Sequence, residues 1–449
     1  MDTKHSDVLI IGGGISGCSL LYLLTAYTDV GSVTLLEKYD HLDPLNSNAH
    51  SNSQTLHCGD IETNYSHEKA AHVNVAASMT LSYVDKVSDD LTLKRNYGKM
   101  LLGVGEEECR VVRTRAEEFT DLFPTIRIAE AEELATLEPS VALQDGKPRP
   151  EEIVALYNDQ GWAIDYGRLT DSFAAKAQEM PGKDVTIDLS TEIVDLNQVG
   201  DRWSATAKSG QVYEASFLVV SAGSYSLLLA KKAGYGKNLS VLPVSGSFYF
   251  APKVLEHKVY TVQNPKLPFA AIHGDPDMTE PDKTRFGPTA LVLPVLERFN
   301  AKTAKGFMES FNFDHETAGV LYELMKDKDI RHFIYENLGY EIPVYGKRSF
   351  IHAVNKIVPD LTVNDIEFAD HTTGVRPQMI DRDAKQLMMG AAKIDPGNCV
   401  IFNMTPSPGA TSALHNASED LRSIADQLEL TVNDTALAEI YGGEAVGVS

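Results

Sequence analysis

The stretch VLIIGGGISG, residues 8–17, decides the fold of this chain. Its apolar run predicts a short buried strand, and the apolar segment ISGCSLLYLLTAYT that follows predicts a helix. Gly12, Gly14 and Gly17 form the pattern G-x-G-x-x-G between these two elements. In this pattern the first glycine permits a sharp turn, the second lets a pyrophosphate approach, and the third packs the helix on the strand. The stretch therefore predicts a Rossmann-like α/β domain that binds a dinucleotide.

The second predicted strand, VTLLEK, carries the next residues of the cofactor site. Glu37 lies twenty positions beyond Gly17, and Lys38 follows it. A carboxylate at this point can accept hydrogen bonds from a ribose hydroxyl and would repel a 2′-phosphate, which argues against NADP. Together with Ile15 and Ser16 at the helix N-terminus, these residues are predicted to contact the cofactor. The presence of Glu37 is compatible with both NAD and FAD and does not distinguish between them.

The pattern of strand, small-residue turn and helix occurs again at residues 217–236 and 399–428. FAD is long, so one end can dock on the first motif while its isoalloxazine reaches a cleft with a second domain. These later segments therefore favour FAD over NAD. We expect the α/β class, α+β overall, with a Rossmann-like FAD-binding domain and an inserted, mostly antiparallel β-sheet substrate domain. The expected boundaries are 1–90, 151–240 and 355–449 for the FAD-binding domain, and 91–150 and 241–354 for the substrate domain.

The composition limits the classes of partner. Acidic side chains outnumber basic ones by 63 to 40 over 449 residues, so the formal charge of −23 opposes binding to nucleic acid and to anionic lipid. The four cysteines include no C-x-x-C pair, which suggests reduced thiols and no metal site. We find no targeting segment and no eighteen-residue apolar run, and so expect a cytoplasmic protein. Peripheral contact with the inner face of the membrane stays open, since an apolar patch can be assembled from distant loops.

A set of motifs along the whole chain carries a family resemblance. In order, they are VLIIGGGISG with Glu37, SNSQTLHCGDIETNYS, DQGWAIDYGRLT, VVSAGSYS, LPVSGSF, NPKLPFAAIHGDPD, TRFGPTAL, TTGVRPQMID and NMTPSPGATSALHNA. With these motifs the sequence resembles the D-amino-acid oxidase-like superfamily of flavoproteins and, within it, the malate:quinone oxidoreductases, especially the shorter type. The chain differs from the longer type in its glycine-rich loop and C-terminal region.

The resemblance implies FAD bound along the first domain, oxidation of malate or another 2-hydroxy acid at the flavin, and transfer of electrons to a membrane quinone. It also implies that the loop of residues 51–66 lies beside the flavin. His57 and Cys58 on this loop raise the possibility of covalently attached FAD. The cofactor contacts that the resemblance adds are Ser53, Gln54, Thr55, His57, Gly59, Ala222, Gly223, Pro408, Gly409, Ala410, Thr411 and Ser412.

Oxidation of an alcohol next to a carboxylate needs a base for the hydroxyl proton, a hydride acceptor and cations for the carboxylates. We expect the flavin to take the hydride. His273 is the first candidate for the base, with Asp275 or Asp277 to orient it, because histidine can titrate near the operating pH. His57 is the rival base. A structural histidine held in a turn is the alternative for His273.

Arginines are the candidate substrate ligands, because a guanidinium can bind a carboxylate with two parallel hydrogen bonds. Arg376 is the first candidate, with a surface ion pair to Asp381 or Asp383 as its alternative. Arg285 is the candidate second cation for a dicarboxylate, with Arg348 and Lys347 behind it. Gln378 is expected to share the face of Arg376 and to touch substrate or flavin.

The turn GATS, residues 409–412, precedes the last long predicted helix. Its N–H groups could stabilise negative charge on the reduced flavin, or Thr411 or Ser412 could simply cap that helix.

Two alternative functions stay open from the sequence. The first keeps the fold and FAD but changes the substrate to 2-hydroxyglutarate or lactate, or the acceptor to oxygen. The second, from a different class, is a nucleotide-binding protein that has lost the reaction.

Overall fold

The computed structural model describes residues 2–43, 45–263, 271–342, 345–369, 374–388, 392–405 and 408–441. Within these ranges the chain forms an α/β structure, which confirms the predicted class. The α-helices are Ile15–Tyr27, His67–Lys86, Glu106–Phe119, Ala131–Leu137, Pro139–Ala142, Tyr166–Gln178, Ser226–Lys232, Ala304–Ser310, His315–Lys326, Lys328–Tyr340, Tyr345–Asn355, Ala413–Leu428 and Asp434–Tyr441.

The first sheet contains the predicted cofactor-binding strands. Its parallel part runs in the order Asp184–Asp188, Ser32–Leu36, Lys4–Ile11, Val212–Val220 and Val400–Met404. Arg202–Ala207 pairs antiparallel with Val212–Val220 and with Ile193–Val199, and Ala392–Ile394 pairs antiparallel with Val400–Met404. The three segments predicted as strand, turn and helix thus lie side by side, with their carboxyl ends along one edge.

The first sheet is buried on both faces because helices cover each of them. Helices Ile15–Tyr27, Tyr166–Gln178 and Ala413–Leu428 pack over one face and share a core with strand residues such as Val8. The short helix Ser226–Lys232 covers the other face, where Trp203 is almost fully buried. Burial on both faces explains why these strands are continuous apolar runs in the sequence.

A second sheet of eight strands forms the other large unit of the described chain. Its strand order is Glu367–Phe368, Tyr249–Pro252, Lys283–Gly287, His273–Pro276, Lys258–Thr261, Lys99–Val104, Ile153–Asn158 and Arg127–Glu130. All of its pairs are antiparallel except that between Lys258–Thr261 and Lys99–Val104. The mostly antiparallel sheet is therefore present as expected.

Several strand pairings cross the expected boundaries, among them that of Glu367–Phe368 with Tyr249–Pro252 in the second sheet. Ile153–Asn158 falls within the range expected for the FAD-binding domain, but it pairs with Lys99–Val104 in the second sheet. Val375–Asp381 falls within the same expected domain, yet it pairs with Leu239–Ser245 in a third sheet of four strands. The strands at the ends of this third sheet are Leu291–Val292 and Gln386–Leu387. Local patterns do not reveal these pairings, because both partners are distant in the chain.

The glycine motif adopts the geometry that its spacing predicts. Gly12 has a φ of +116°, and a Cβ on it would lie 2.4 Å from the Ser221 carbonyl oxygen. A Cβ on Gly17 would lie 2.0 Å from the Gly12 carbonyl oxygen, so this glycine lets the helix pack on the strand. The motif therefore holds the N-terminus of helix Ile15–Tyr27 at the edge of the sheet.

No helix within the described ranges has the length and apolarity needed to cross a bilayer.

Gly17→Ala is predicted to destabilise the protein by about 1–3 kcal/mol or more, because the added methyl group overlaps the Gly12 carbonyl and must push the helix away. The matched control is Gly319→Ala in helix His315–Lys326, where no atom lies within 4 Å of the added Cβ. That control should gain about 0.5–1 kcal/mol of stability from helix propensity. Urea unfolding followed by circular dichroism measures both changes, and equal stability of the two variants would contradict the packing argument.

Candidate active site

A long cavity, with a volume of about 340 Å³, lies along the carboxyl edge of the first sheet. Gly12, Gly14, Ile15 and Ser16 line it at the N-terminus of the first helix. The N-cap residue Gly14 makes no side-chain cap, and the Ile15 N–H donates to the hydroxyl of Ser47, another lining residue, at 2.9 Å. A helix N-terminus attracts anions through its remaining N–H groups and its dipole. This part of the cavity fits a pyrophosphate.

Glu37 and Lys38 line the cavity beyond the second strand. The Glu37 carboxylate accepts hydrogen bonds from Gly13 N at 2.7 Å and Tyr39 N at 3.0 Å, which fixes its position at the cavity wall. Lys38 forms an ion pair with Glu297, and its Nζ lies 3.8 Å from the ring centre of Tyr225. Glu37 is thus placed for a ribose hydroxyl, whereas the charge of Lys38 is neutralised within the protein.

The turn after strand Val212–Val220 forms the next part of the wall. Ala222 and Gly223, two of the predicted cofactor contacts, line the cavity, and Gly223 has a φ of +56°. The Ala222 amide donates to Ser226 Oγ at 2.9 Å, which holds the turn at the start of the following helix.

The loop of residues 51–66 contributes side chains from its first half. Ser53, Thr55 and His57 line the cavity. The backbone N–H of His57 donates to Thr411 Oγ1 at 3.2 Å, and its ring Nδ1 lies 2.6 Å from Glu62 Oε1. Because Nδ1 is bound to a carboxylate, Nε2 is the nitrogen left for a ligand, and it has no partner among the described residues.

Glu62 is a nearly buried carboxylate that faces this histidine. Burial alone would raise the pKa of Glu62, but the hydrogen bond from His57 and the positive charges of Lys99 and Arg115 lower it to about 2. A carboxylate that stays ionised beside Nδ1 favours the tautomer with the proton on Nδ1. His57 Nε2 can then accept a proton.

Two predicted residues of the same loop support it and do not line the cavity. Gln54 is fully buried with a φ of +55°, and its amide oxygen accepts from Met278 N at 2.9 Å while its amide nitrogen donates to Asp277. Gly59 has a φ of +93° and packs on Ala70 of helix His67–Lys86. Both hold the loop in place, because each has its contacts on the side of the second sheet or the helix.

Cys58 offers no support for covalent attachment of FAD through its sulfur. Burial raises the pKa of the Cys58 thiol to about 11, and the side chain does not line the cavity. His57 lines the cavity, so attachment through its ring stays a prediction.

The turn before the last long helix closes one end of the cavity. Pro408, Gly409, Ala410 and Thr411 line it, whereas Ser412 does not; Pro406 and Ser407 of this motif lie outside the described residues. Helix Ala413–Leu428 has no side-chain cap, since the Thr411 hydroxyl is engaged by His57 and by the hydroxyl of Tyr166 at 3.1 Å. The capping alternative is therefore not observed, and the helix N-terminus stays uncapped near the cavity.

Arg376 lines the cavity in strand Val375–Asp381. Its guanidinium has no hydrogen bond or ion pair with any described residue, and Asp381 accepts instead from the amides of Asp383 and Ala384. Burial lowers the pKa of Arg376, with partial compensation by nearby Tyr260. The predicted surface ion pair with Asp381 or Asp383 is thus absent. A partly buried guanidinium that has no partner among the described residues is suited to bind an anion.

Behind the loop lies a buried cluster of charged and polar side chains. Lys258 is fully buried and donates to Thr55 Oγ1 at 2.9 Å and to Asp275 Oδ1 at 3.1 Å. Tyr260 donates to the same Thr55 oxygen at 2.7 Å. Burial would raise the pKa of Asp275, but Lys258 and His273 hold it well below its usual range. This cluster fixes Thr55, and through it the cavity wall.

His273 belongs to that cluster and does not line the cavity. Its ring stacks on Tyr260 with a centre-to-centre distance of 4.3 Å, its Nε2 lies 3.1 Å from Asp275 Oδ2, and its Nδ1 lies 3.2 Å from the Ala271 carbonyl. Both ring nitrogens therefore face protein groups. Asp275, the residue predicted to orient His273, lies close to its ring, but the ring does not line the cavity.

The other predicted substrate ligands also lie away from the cavity lining. Arg285 is fully buried, 3.5 Å from Asp277 Oδ2 and 4.8 Å from the ring centre of Phe248. Gln378 donates to the Met388 carbonyl oxygen and does not line the cavity. Lys347 and Arg348 lie on helix Tyr345–Asn355 and are not part of the lining. Among the four cations predicted to bind the substrate, Arg376 is thus the one that lines the cavity.

Three tyrosine and lysine side chains at the site were not predicted. Tyr166 bonds to Thr411 and donates to the Thr55 carbonyl at 3.1 Å, and Lys258 and Tyr260 fix Thr55 from the second sheet. Tyr166 lies within the DQGWAIDYGRLT motif, so this motif was a usable signal. Lys258 and Tyr260 reach the loop only through pairing of distant strands, for which the sequence holds no local pattern.

The cavity residues fit FAD. The N-terminus of helix Ile15–Tyr27 and the Ser47 hydroxyl beside it suit a pyrophosphate, and Glu37 suits a ribose. The opposite end, with His57, Arg376 and Pro408, is walled by polar groups that can surround a flavin ring and a small acid.

The sequence of the chain was compared with known families and proteins. Residues 7–417 match the sequence model of the family described as "DAO: FAD dependent oxidoreductase". The chain is 41% identical over 441 residues to the "Probable malate:quinone oxidoreductase" of Campylobacter jejuni, which covers 97% of this chain and 98% of that protein. It is 40% identical over 427 residues to the "Malate:quinone oxidoreductase" of Helicobacter pylori, with 94% of each chain covered.

Among solved structures, the fold is similar to dithionite-reduced L-alpha-glycerophosphate oxidase from Mycoplasma pneumoniae with FAD bound. The TM-score is 0.65 at 19% identity, with 96% of both chains covered.

The Glu62 carboxylate is predicted to make stability depend on acid pH. Because its pKa is about 2 in the folded protein and near 4.5 when unfolded, its contribution is complete above pH 4.5 and is lost as the pH falls toward 2. This contribution is on the order of 3 kcal/mol. Glu62→Gln should therefore be less stable than the wild type at pH 7, and the gap should shrink below pH 4.5. The exposed control Glu107→Gln should follow the wild type in urea unfolding at each pH; a pH-independent gap for Glu62→Gln would contradict the assignment.

Proposed function

Because the chain belongs to the malate:quinone oxidoreductase family of FAD-dependent oxidoreductases, we propose that it oxidises (S)-malate to oxaloacetate and passes the electrons to a membrane quinone. FAD, the predicted cofactor, follows from membership of that family. The substrate and the acceptor are the proposed part. The observation that carries the proposal is the partly buried Arg376 guanidinium, which lines the cavity without a partner among the described residues.

Arg376 would bind the carboxylate next to the reacting hydroxyl group. A guanidinium fork can hold a carboxylate through two parallel hydrogen bonds, which fixes the orientation of the acid as well as its position. Its burial lowers its pKa, but an arginine side chain stays protonated in proteins, so the positive charge is retained. An anionic substrate would remove the cost of leaving this charge unpaired.

His57 is the proposed base. It lines the cavity, and the contact of its Nδ1 with Glu62 at 2.6 Å leaves Nε2 to take the hydroxyl proton of the substrate. Glu62 stabilises the imidazolium that results, as a carboxylate does in other carboxylate–histidine pairs. His273 would act as a positioning residue, because it stacks on Tyr260 and contacts Asp275 behind the wall.

The reaction removes two hydrogen atoms from the substrate, one as a hydride from the alcohol carbon and one as a proton from the hydroxyl group. FAD, when bound along the cavity, supplies the acceptor for the hydride of the alcohol carbon. His57 removes the hydroxyl proton, Arg376 holds the carboxylate, and the uncapped N-terminus of helix Ala413–Leu428 favours negative charge at its end of the cavity. The proposed quinone would then take up the two electrons with two protons and free the site for another turnover.

The proposed function is tested by anaerobic reduction of the visible flavin spectrum of the purified protein. L-Malate should bleach the flavin rapidly, and a short-chain quinone should restore the colour. L-Lactate, L-2-hydroxyglutarate and a D-amino acid are parallel trials. L-Lactate is the critical one, since Arg285 does not line the cavity as a second cation. Bleaching by another acid alone would replace malate as the substrate, and no bleaching by any acid would contradict the catalytic proposal.

Replacement of the proposed base is predicted to slow flavin reduction without loss of the flavin. His57→Gln should lower the rate constant at saturating malate by about 10²–10⁴-fold, because proton removal then lacks a base. His273→Gln is the matched comparison and should have a smaller effect, since its ring does not line the cavity. Stopped-flow absorbance measures both rate constants. A larger loss in His273→Gln than in His57→Gln would reverse the assignment of the base.

A further inference from the structure

The carboxylate of Glu297 joins segments that are distant in the chain and meet at the cavity. Its Oε1 accepts hydrogen bonds from Lys38 Nζ and from the Tyr225 hydroxyl group at 2.8 Å. Its Oε2 accepts from the Tyr39 hydroxyl group at 2.7 Å and from Asn300 Nδ2 at 2.8 Å. Glu297 is only 4% exposed, so each of its oxygens is satisfied by two protein donors away from water. Hydrogen bonds to an ionised group are stronger than neutral ones, and this carboxylate is therefore firmly held.

The groups around Glu297 favour its ionised form. Burial would raise the pKa of Glu297, but the hydrogen bond and charge of Lys38, together with the hydrogen bonds from Asn300 and Tyr39, lower it. Burial and the nearby carboxylate of Glu297 raise the pKa values of Tyr39 and Tyr225. Both phenols therefore keep the protons that they donate to Glu297.

Glu297 lies in the segment of residues 293–303, which we name the strap. The strap follows the third sheet and precedes helix Ala304–Ser310. Leu296 and Glu297 are buried, and their N–H groups donate to the Thr303 hydroxyl group at 3.1 and 3.2 Å. These bonds fix the backbone of the strap at the two residues whose side chains face the first-sheet unit.

The strap reaches the cavity at the end that suits the adenosine part of FAD. Leu296 lines the cavity together with Lys38 and Tyr225, two of the residues that donate to Glu297. Lys38 directly follows Glu37, which is placed for a ribose hydroxyl group. The hydrogen bonds of Glu297 thus hold the strap against the segment after the second strand and against the turn that Tyr225 ends.

We propose that Glu297 is a positioning residue that holds the strap over the adenosine part of FAD and thereby retains the cofactor. The inference depends on FAD, which follows from membership of the family, and not on the proposed substrate or acceptor. Movement of the strap away from the cavity would separate the buried Glu297 carboxylate from Lys38. Because separation of a buried ion pair is unfavourable, the strap opens rarely and FAD leaves slowly.

The test is the rate of FAD release after dilution of the purified FAD-containing protein, followed by the rise in flavin fluorescence. Glu297→Gln should raise the rate constant about tenfold or more, because the hydrogen bonds then lack an ionised acceptor and the new amide group faces donors. The matched control is Glu309→Gln on the next helix. Its exposed carboxylate pairs with Lys305 of the same helix, and FAD release should be unchanged.

Tyr39→Phe tests whether the effect passes through Glu297. Tyr39 is not among the residues that line the cavity, and its hydroxyl group donates to Glu297. The variant should release FAD roughly two- to tenfold faster than the wild type. In the double variant with Glu297→Gln it should add less than it does alone, because both changes remove the same contact. Hydrogen exchange of the strap amides, measured by mass spectrometry on the FAD-containing proteins, should be faster in both single variants than in the wild type.

Three results would overturn the proposal. The first is an equal rate of FAD release in the wild type and Glu297→Gln. The second is an effect of Tyr39→Phe that adds in full to that of Glu297→Gln. The third is a loss of stability in urea unfolding with unchanged hydrogen exchange of the strap, which would give Glu297 a purely structural role. No substrate is added in these measurements, so this proposal and the proposed function can fail independently.

Discussion

The buried ammonium group of Lys258 is the constraint on which the wall of the active site depends. It is fully buried in the second sheet and donates to Thr55 on the loop of residues 51–66 and to Asp275. A buried charge costs several kcal/mol unless it is paired and fully hydrogen-bonded, so few positions of the loop are compatible with this lysine. His57 follows Thr55 on the same loop by two residues. The contact that satisfies Lys258 therefore also sets where the proposed base stands.

Arg376 shows the opposite electrostatic arrangement on the same cavity. Lys258, Asp275 and His273 neutralise one another within the protein, whereas the Arg376 guanidinium is left without a partner among the described residues. The paired charges thus have a structural role in the cavity wall, whereas the Arg376 guanidinium is available to bind a ligand. It also explains why a small acid would be oriented at one end of the cavity, with the cofactor occupying the length between that end and Glu37.

The sequence was informative where function depends on local geometry. The spacing of the glycines predicted the turn and a helix that starts at the cavity, and Glu37, His57 and Arg376, predicted as cofactor or substrate ligands, line that cavity. His273 and Arg285 were predicted to face the substrate but lie behind the wall, because their strands place them in the buried layer of the second sheet. The contributions of Lys258 and Tyr260, and the pairing of strand Ile153–Asn158, depend on contacts between distant strands. The periodic spacing of apolar residues along the chain cannot specify which distant strands come into contact.

The central claim is that Arg376 binds the carboxylate of the substrate. The most direct measurement is a titration of the oxidised, FAD-containing protein with malonate, a dicarboxylate that lacks an oxidisable hydroxyl group, followed by the change in the flavin spectrum. The wild type should show a saturable change; Arg376→Ala should bind at least about tenfold more weakly, and Arg376→Lys should lie between them. The same dissociation constant in the wild type and in Arg376→Ala would contradict the account, because the carboxylate would then be held elsewhere.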